Sequence, residues 1–393
     1  MTIMSDTHIG QRIKALREAA GMRQEELAEL LDLNSRQIVS QIETGTRRLT
    51  ATELVAVLKR FDVSLDKLTN PFLLLGRSSF SWRQRNVPQS TLQAFEERAG
   101  EWIGAYRELR GLAGQGRSKL LLTTGLTYTS PFEDAANVGE VVAGQLELGD
   151  KPAFTLAKAL EEKLDILVLM VEAESGISGA ACQLPNLSAV LINRNESFAR
   201  RNSDLAHELF HILTWNEMRP DHIESSDQIW DGPASQRRPH KAARNQRIEQ
   251  LADNFASGLL MPARSLDLLG TPRSDAQWLM EASALLGVSS RALKWRLVNT
   301  RRCPELSAVQ EAELVAAGRV QAPDLRQKET PPLFSRPFMQ TIIDAIEQGE
   351  LSARRAQALL QMDRASLGEL CDAYEIPRPV ELGGQPRQEI AAV

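Results

Sequence analysis

Apolar positions along this chain recur mostly with the 3.6-residue period of a helix. Ile9, Ile13, Leu16 and Ala20 form a first stripe closed by Gly21. Gln24 to Leu31 carries a second, and after a turn at Asp32-Leu33-Asn34 the segment Ser35 to Thr44 forms a third, closed by Gly45. Leu92, Phe95, Ala99, Trp102, Ile103 and Tyr106 predict a long amphipathic helix, broken over Gly111 to Gly116. Such a helix docks a domain or forms the seam of a homodimer, and docking is the expected role. Phe154 to Leu164 reads as a helix. The unbroken apolar runs Ile166 to Val171 and Ala189 to Asn193 read as buried strands. Two further helices are predicted in the segments Asn202 to Trp215 and Arg247 to Pro262. In the second, Ile248, Leu251, Ala252, Phe255, Leu259 and Leu260 keep helical spacing until Pro262. Ala276 to Leu286 and Ser289 to Val298 form a helix pair around Gly287-Val288. A Pro331-Pro332 linker leads to a last helical segment, Phe338 to Leu360, and the stretch after Pro377 is expected to be disordered.

Composition narrows the class. At 393 residues, two to three domains and a real core are expected. Net charge is −5, so any affinity for nucleic acid must come from a local basic face. The three cysteines, Cys182, Cys303 and Cys371, are scattered without disulfide or zinc-knuckle spacing, which suits a reducing cytoplasm. With no signal peptide or long apolar span visible, a cytoplasmic protein without membrane contact is expected.

The chemistry concentrates in His207-Glu-Leu-Phe-His211. On a helix, the two imidazoles project from one face and can bind one metal ion. Glu208 beside them can take a proton from a water that the metal activates. A buried helix whose histidines only hydrogen-bond in the core has the same apolar surround, so burial does not decide between them. Thr214 and Glu217 stand where a metzincin would place Gly and its third His, which rejects that class. A glutamate on the later helix is the other solution. Glu249 and Asp253 lie one turn apart, Glu249 as ligand and Asp253 as acceptor for the free N–H of a ligating histidine. Both also read as solvated surface acids, and His222, His240, Glu217 and Glu224 are rival ligands in a polar stretch of weak helical pattern.

The run Leu191-Ile-Asn193, then Leu205-Ala-His-Glu-Leu-Phe-His211, then Glu249 through Pro262 resembles the ImmA/IrrE metallopeptidases over roughly residues 150 to 265. The resemblance implies a zincin-like α+β domain with Zn2+ held by His207, His211 and Glu249, and Glu208 as general base. Two departures stand out. Ser203-Asp204 replaces the common Phe-Thr, and Asp253 stands where Asn is usual, which adds negative charge near the metal. The oxyanion-stabilising residue is left open among Arg194, Arg200, Arg201 and Tyr128 on chemistry alone.

At the N-terminus, short helices around a tight turn, the third rich in Arg, Gln and Ser, describe a helix-turn-helix. Gln24 opening the second helix and Ile42-Glu-Thr-Gly45 closing the third resemble the XRE (λ-repressor-like) domains, with one extra residue in the turn. Arg36, Gln37, Ser40 and Gln41 are candidate base or groove readers. Gln24, Thr46, Arg47 and Arg48 are placed for phosphates. A small bundle serving only protein contacts is the alternative.

Together these readings predict an α+β, mainly helical chain. It comprises a helix-turn-helix domain (1–70), a connector with the long helix (71–130), the metallopeptidase domain (131–275), a helix-turn-helix-like region (276–330) and a C-terminal helical segment with a tail (331–393). The basic Trp295, Arg296, Arg301 and Arg302 give the fourth segment either a second DNA contact or, as the better expectation, a packing role. The polar stretch Asn216 to Arg244 is expected to be a loop that gates the zinc, with an inert insertion as the alternative. Two function classes follow. One is a zinc endopeptidase tethered to a reader of double-stranded DNA, cleaving a repressor or other DNA-associated protein in a stress, mobile-element or toxin-antitoxin-like circuit. The other is a transcription factor that uses the peptidase-like domain as sensor or dimerisation module. An intact Glu208 favours the first.

Overall fold

A computed structural model describes residues 6–70, 72, 80–112, 122–184, 186–222, 239–273, 275–303 and 330–384. The chain forms two compact units. One comprises Met1–Ser78, Gln89–Gly116 and Phe338–Val393, and the other Ser79–Pro88 and Arg117–Pro337.

In the first unit, α1 (Asp6–Ala19), α2 (Gln24–Leu30), α3 (Arg36–Glu43), α4 (Ala51–Phe61) and α5 (Leu65–Thr69) close around Ile13, Leu27, Val39, Ile42, Val57 and Leu68. Ile13, Leu27, Val39 and Ile42 fall in the three segments read as helices from the sequence, and Val57 and Leu68 on two further helices complete the centre. Local chemistry sets the ends. Thr50 accepts the amide of Glu53 while the Glu53 carboxylate returns to Thr50 N, a reciprocal cap that starts α4. A buried ion pair, Arg17 Nε to Glu43 Oε1 at 2.6 Å, ties α1 to α3. The predicted long helix is α6 (Gln89–Leu112). It belongs to the same unit as three C-terminal helices: α14 (Arg336–Glu347), α15 (Ala353–Leu360) and α16 (Arg364–Ala373). Trp102 Nε1 donates to Leu359 O at 3.1 Å, and Tyr106 stacks on Phe338.

The expected helical segment Phe338 to Leu360 comprises two helices. Gly349 sits at φ 73° and Ser352 caps α15 by accepting Arg355 N, so the Gly349-Glu-Leu-Ser352 run stops one helix and starts the next. Downstream of Pro377, Val380–Leu382 form a 3-10 turn with Leu382 buried, which corrects the expectation of disorder for those residues. Residues 385–393 lie outside the described ones.

The second unit contains a four-stranded sheet in the order β1-β3-β4-β2, built from β1 (Phe80–Gln84), β2 (Ile166–Val171), β3 (Ile177–Leu184) and β4 (Leu187–Asn193). Central β4 pairs parallel with β2 and antiparallel with β3; β1 pairs antiparallel with β3. The continuous apolar runs fall on β2 and β4, as expected of strands buried on both faces. The helix expected from Phe154 to Leu164 begins instead as a 3-10 turn, Pro152–Phe154, before α8 (Leu156–Lys163). Against the sheet lies α9 (Phe198–Leu213), and α10 (Pro239–Leu260) packs on α9 and on α7 (Phe132–Gln145). A Cβ on Gly258 would come within 1.9 Å of Ala136 O, so the α7–α10 approach requires glycine there.

A short helix, α11 (Ala263–Asp267), leads to α12 (Ala276–Leu286) and α13 (Ser290–Asn299). These last two form the helix pair after Pro262, and Arg296 lies buried between them and the rest of the unit. Its Nε donates to Met261 O at 3.1 Å and its guanidinium pairs with Glu140, so this side chain packs rather than faces solvent. Among the described residues, no helix is long and apolar enough to cross a membrane.

Candidate functional site

Helix α9 opens on Ser197, whose side chain accepts Arg200 N. The strand before it is pinned by Asn193. Its Nδ2 donates to Ile177 O at 2.8 Å and its Oδ1 accepts Asn195 N at 3.1 Å, which fixes the turn from β4 into α9. One turn into the helix, Asn202 Nδ2 donates to Gly287 O at 3.0 Å and anchors it to the end of α12. Held in this way, α9 carries His207, Glu208 and His211 into the interior, each 1% exposed or less.

Helix α10 presents Glu249 and Asp253 to the same point. His207 Nε2 lies 3.1 Å from Glu249 Oε2 and 3.1 Å from His211 Nε2, and His211 Nε2 lies 3.7 Å from Glu249 Oε2. Asp253 Oδ1 stands 2.9 Å from His207 Nδ1. A carboxylate only accepts, so Asp253 takes the Nδ1 proton of His207, and Nε2 faces Glu249 and His211. Two ring nitrogens and one carboxylate oxygen therefore converge, a donor set that suits a divalent cation such as zinc. These three are the group of potential ligands found among the described residues. Of the rival ligands, His222 lies against β1, its Nδ1 3.3 Å from Phe80 O. The side chain of His240, and Glu224, fall outside the described residues.

Electrostatics favour charged carboxylates here. Burial penalises ionised Glu249, but the pull of His211 and the hydrogen bond from His207 outweigh it and hold its pKa below the usual carboxylate range. Desolvation also acts on Asp253, and the His207 hydrogen bond with the charges of His207 and Arg83 again depresses its pKa. Asp204, fully buried one turn before His207, is pushed up by burial against the opposing charges of Arg83 and Arg200. Glu208 is buried beside the pair of histidines. Gly179 of β3 leaves room for it: a Cβ there would lie 3.9 Å from Glu208 Oε1.

Three of the four oxyanion candidates are engaged elsewhere. Arg194 donates to Pro331 O and pairs with Glu172, Arg200 pairs with Asp204, and Arg201 donates to Arg194 O and Glu196 O. Tyr128 is exposed, with its ring under the Arg244 guanidinium. Sequence reasoning missed Arg83 and Gly179. Both sit on strands whose short or small-residue sequences give weak periodic signals.

In the helix-turn-helix, Arg36, Gln37, Gln41, Thr46 and Arg48 are exposed, while Ser40, Gln24 and Arg47 are half-buried. Arg36 lies 3.3 Å from Glu25, and Thr46 Oγ1 donates to Gln41 O at 3.1 Å. Gln24 Nε2 donates to Glu43 Oε2 at 2.8 Å. Arg47 grips Glu53 with both arms of its guanidinium, at 2.7 and 3.0 Å. Gln24 and Arg47 thus brace the α2–α3 and α3–α4 connections from within the protein.

A fold with these two sites is that of a DNA-binding helix-turn-helix chain carrying a metallopeptidase-like domain. Comparison with protein families gives the same two parts: residues 13–68 match the helix-turn-helix family and residues 161–298 match the IrrE N-terminal-like domain, a peptidase family. No curated protein and no solved structure matches the chain significantly.

Proposed function

We propose that this chain is a DNA-binding regulator with a zinc-dependent endopeptidase, acting on a repressor or other DNA-associated protein in a stress, mobile-element or toxin-antitoxin-like circuit. The observation that carries the reading is the convergence of His207 Nε2, His211 Nε2 and a Glu249 oxygen, with Glu208 buried alongside. In this reading the two histidines and Glu249 hold the zinc. Bound there, it would supply Lewis-acid polarisation of a peptide carbonyl and activation of water. Asp253 keeps His207 in the tautomer that offers Nε2. Glu208 accepts a proton from the attacking water and returns it to the departing amine, which is the work of a general base and then a general acid. The exposed α3 face, with Arg36, Gln37 and Gln41, reads the DNA groove, and Arg48 and Thr46 meet phosphate.

The test couples metal content to cleavage. The purified chain should hold about one zinc, and a His207→Ala, His211→Ala double variant should lose it. Glu208→Gln should retain zinc and fold while cleavage of a co-expressed repressor falls by about a hundredfold or more. Zinc retained in full by the double variant would overturn the ligand assignment. Zinc binding without cleavage of any DNA-associated protein would favour the sensor reading.

A further inference from the structure

Arg83 of β1 stands between the two metal-site helices. Its Nε lies 3.2 Å from Asp204 Oδ1 on α9, and its Nη2 lies 3.7 Å from Asp253 Oδ1 on α10. The Asp253 oxygen that Arg83 faces is also the one that accepts His207 Nδ1–H. Asp204 is closed on its other side by Arg200, whose Nε lies 3.0 Å from Oδ2. The two acids at which this chain departs from the pattern it resembles therefore meet on one cation.

The sheet aims Arg83 there. Arg83 pairs with Gly179 across β1 and β3, and directly opposed residues of an antiparallel pair share a face. That face is the one on which Glu208 comes within reach of Gly179. The register shifts between Arg83 and Gln84, an irregularity of the kind that re-aims a side chain next to a site. Only 12% of the Arg83 side chain is exposed, and Asp204 is fully buried, so this charge is held in place by partners rather than solvated.

We propose that Arg83 is a positioning residue of the candidate metal centre. It holds Asp253 against His207, and so fixes that ring with Nε2 toward Glu249 and His211. This rests on the zinc reading above. A planar guanidinium reaches two carboxylates at once, which a lysine ammonium on its flexible stem does less well. Without Arg83, the Asp253 side chain, 59% exposed, has a neighbouring carboxylate, Glu249, one turn away. It then turns to water, and the His207 ring loses its second hydrogen bond.

The test uses the full chain and two readouts. Zinc affinity by chelator competition should weaken about tenfold or more in Arg83→Met, the usual effect of losing a group that orients a ligand. Arg83→Lys should recover part of it. In an Asp253→Ala background the further change Arg83→Met should shift affinity by less than about threefold, because the intermediary is already gone. In the metal-free protein, nitrogen-15 spectra of the histidines should show a protected His207 Nδ1–H that Arg83→Met loses. Unchanged affinity and an unchanged imidazole spectrum in Arg83→Met would overturn the proposal. So would an equal loss in both backgrounds, which would mean Arg83 acts through Asp204 or the sheet alone. Should the methionine variant fail to fold, Arg83→Gln, similar in length and polar, decides by the same criteria. If the parent chain takes up no zinc, the functional reading fails, while the metal-free spectrum still tests the role of Arg83.

Discussion

Glu53 does two jobs at once, closing the cap of α4 through Thr50 and gripping Arg47, and both depend on its charge. The hydrogen bond from Arg47 is the main reason its pKa lies below the ordinary 4.5, with the Thr50 amide adding to it against the cost of burial. A carboxylate depressed in the folded state stabilises fully above its unfolded value. That contribution drains away as pH falls below about 4.5 toward the folded value. Glu53→Gln should therefore cost about 1–3 kcal/mol at neutral pH, the range for a hydrogen bond to a charged group. It should also flatten the loss of stability as pH falls below about 4.5. Denaturation of the full chain followed at Val57 by NMR reads this directly, and an unchanged acid slope would deny Glu53 the role. On the DNA side, an Arg36→Ala, Gln37→Ala double variant should weaken a specific duplex by about tenfold or more and a random duplex little, since each well-placed base contact discriminates by about 1–3 kcal/mol. Arg48→Ala should weaken both alike. Equal loss on both duplexes in the double variant would make Arg36 and Gln37 backbone contacts.

At this scale much of the site was legible. His207, Glu208 and His211 follow from a four-residue spacing on one helix, and Glu249 and Asp253 from one turn of another; their meeting in space is what the structure adds. Arg83 was not legible. Its partners lie on α9 and α10, far along the chain, and nothing in Phe80-Ser-Trp-Arg-Gln84 announces a charge aimed inward.

Among elements, the strands with long branched side chains were readable and the others were not. β2 reads Ile-Leu-Val-Leu-Met-Val and β4 carries Val190-Leu-Ile192 at its centre. β3, reading Ile-Ser-Gly-Ala-Ala-Cys-Gln-Leu, has small residues where a helix would pass over it, and small residues carry little period-2 signal. β1 is five residues long and exists as a strand through pairing with β3. The helices fared better, and Gly349 and Ser352 mark where the C-terminal segment divides into two. Closeness between elements is itself testable at α7 and α10. Gly258→Ala sets a methyl against Ala136 O and should destabilise the second unit by about 1–3 kcal/mol, the usual cost of overpacking. It should also reduce zinc affinity, since Gly258 and Glu249 share a helix. A denaturation midpoint equal to that of the parent would show that the two helices part without cost.

For the whole molecule, the core around Ile13, Leu27 and Val57 closes on residues of the helix-turn-helix and its flanking helices, and the candidate metal ligands lie on helices that contribute Phe210 and Phe255 to another core. Stripping zinc with a chelator should lower the melting of the second unit, by up to about 2.7 kcal/mol for metal at a hundred times its dissociation constant. Affinity for DNA should stay within about twofold. Calorimetry and duplex titration on the same sample check both, and loss of DNA binding together with zinc would reveal a coupling that two separate cores do not supply. Of the expected gating loop, Asn216 to Arg244, residues 223–238 lie outside the described ones. Its near end is visible: Trp82 N donates to His222 O at 2.9 Å and Ser81 Oγ to Asp221 O at 2.8 Å, so the loop starts by lining the open side of β1.

The ten residues Ser79–Pro88 belong to the second unit although the chain on both sides of them, Met1–Ser78 and Gln89–Gly116, belongs to the first. Neither half is therefore a continuous stretch that a single cut could release. A recombinant fragment beginning at Arg117 would hold every candidate ligand yet lack β1, baring the flank of β3 and removing Arg83. A fragment ending at Gly116 would leave Trp102 and Tyr106 without Leu359 and Phe338. During synthesis the same arrangement makes each half wait. β1 leaves the ribosome long before β3 exists to receive it, and α6 remains uncovered until the last helices emerge. The two units are thus interleaved along the chain, so that neither can be cut out whole as one continuous piece.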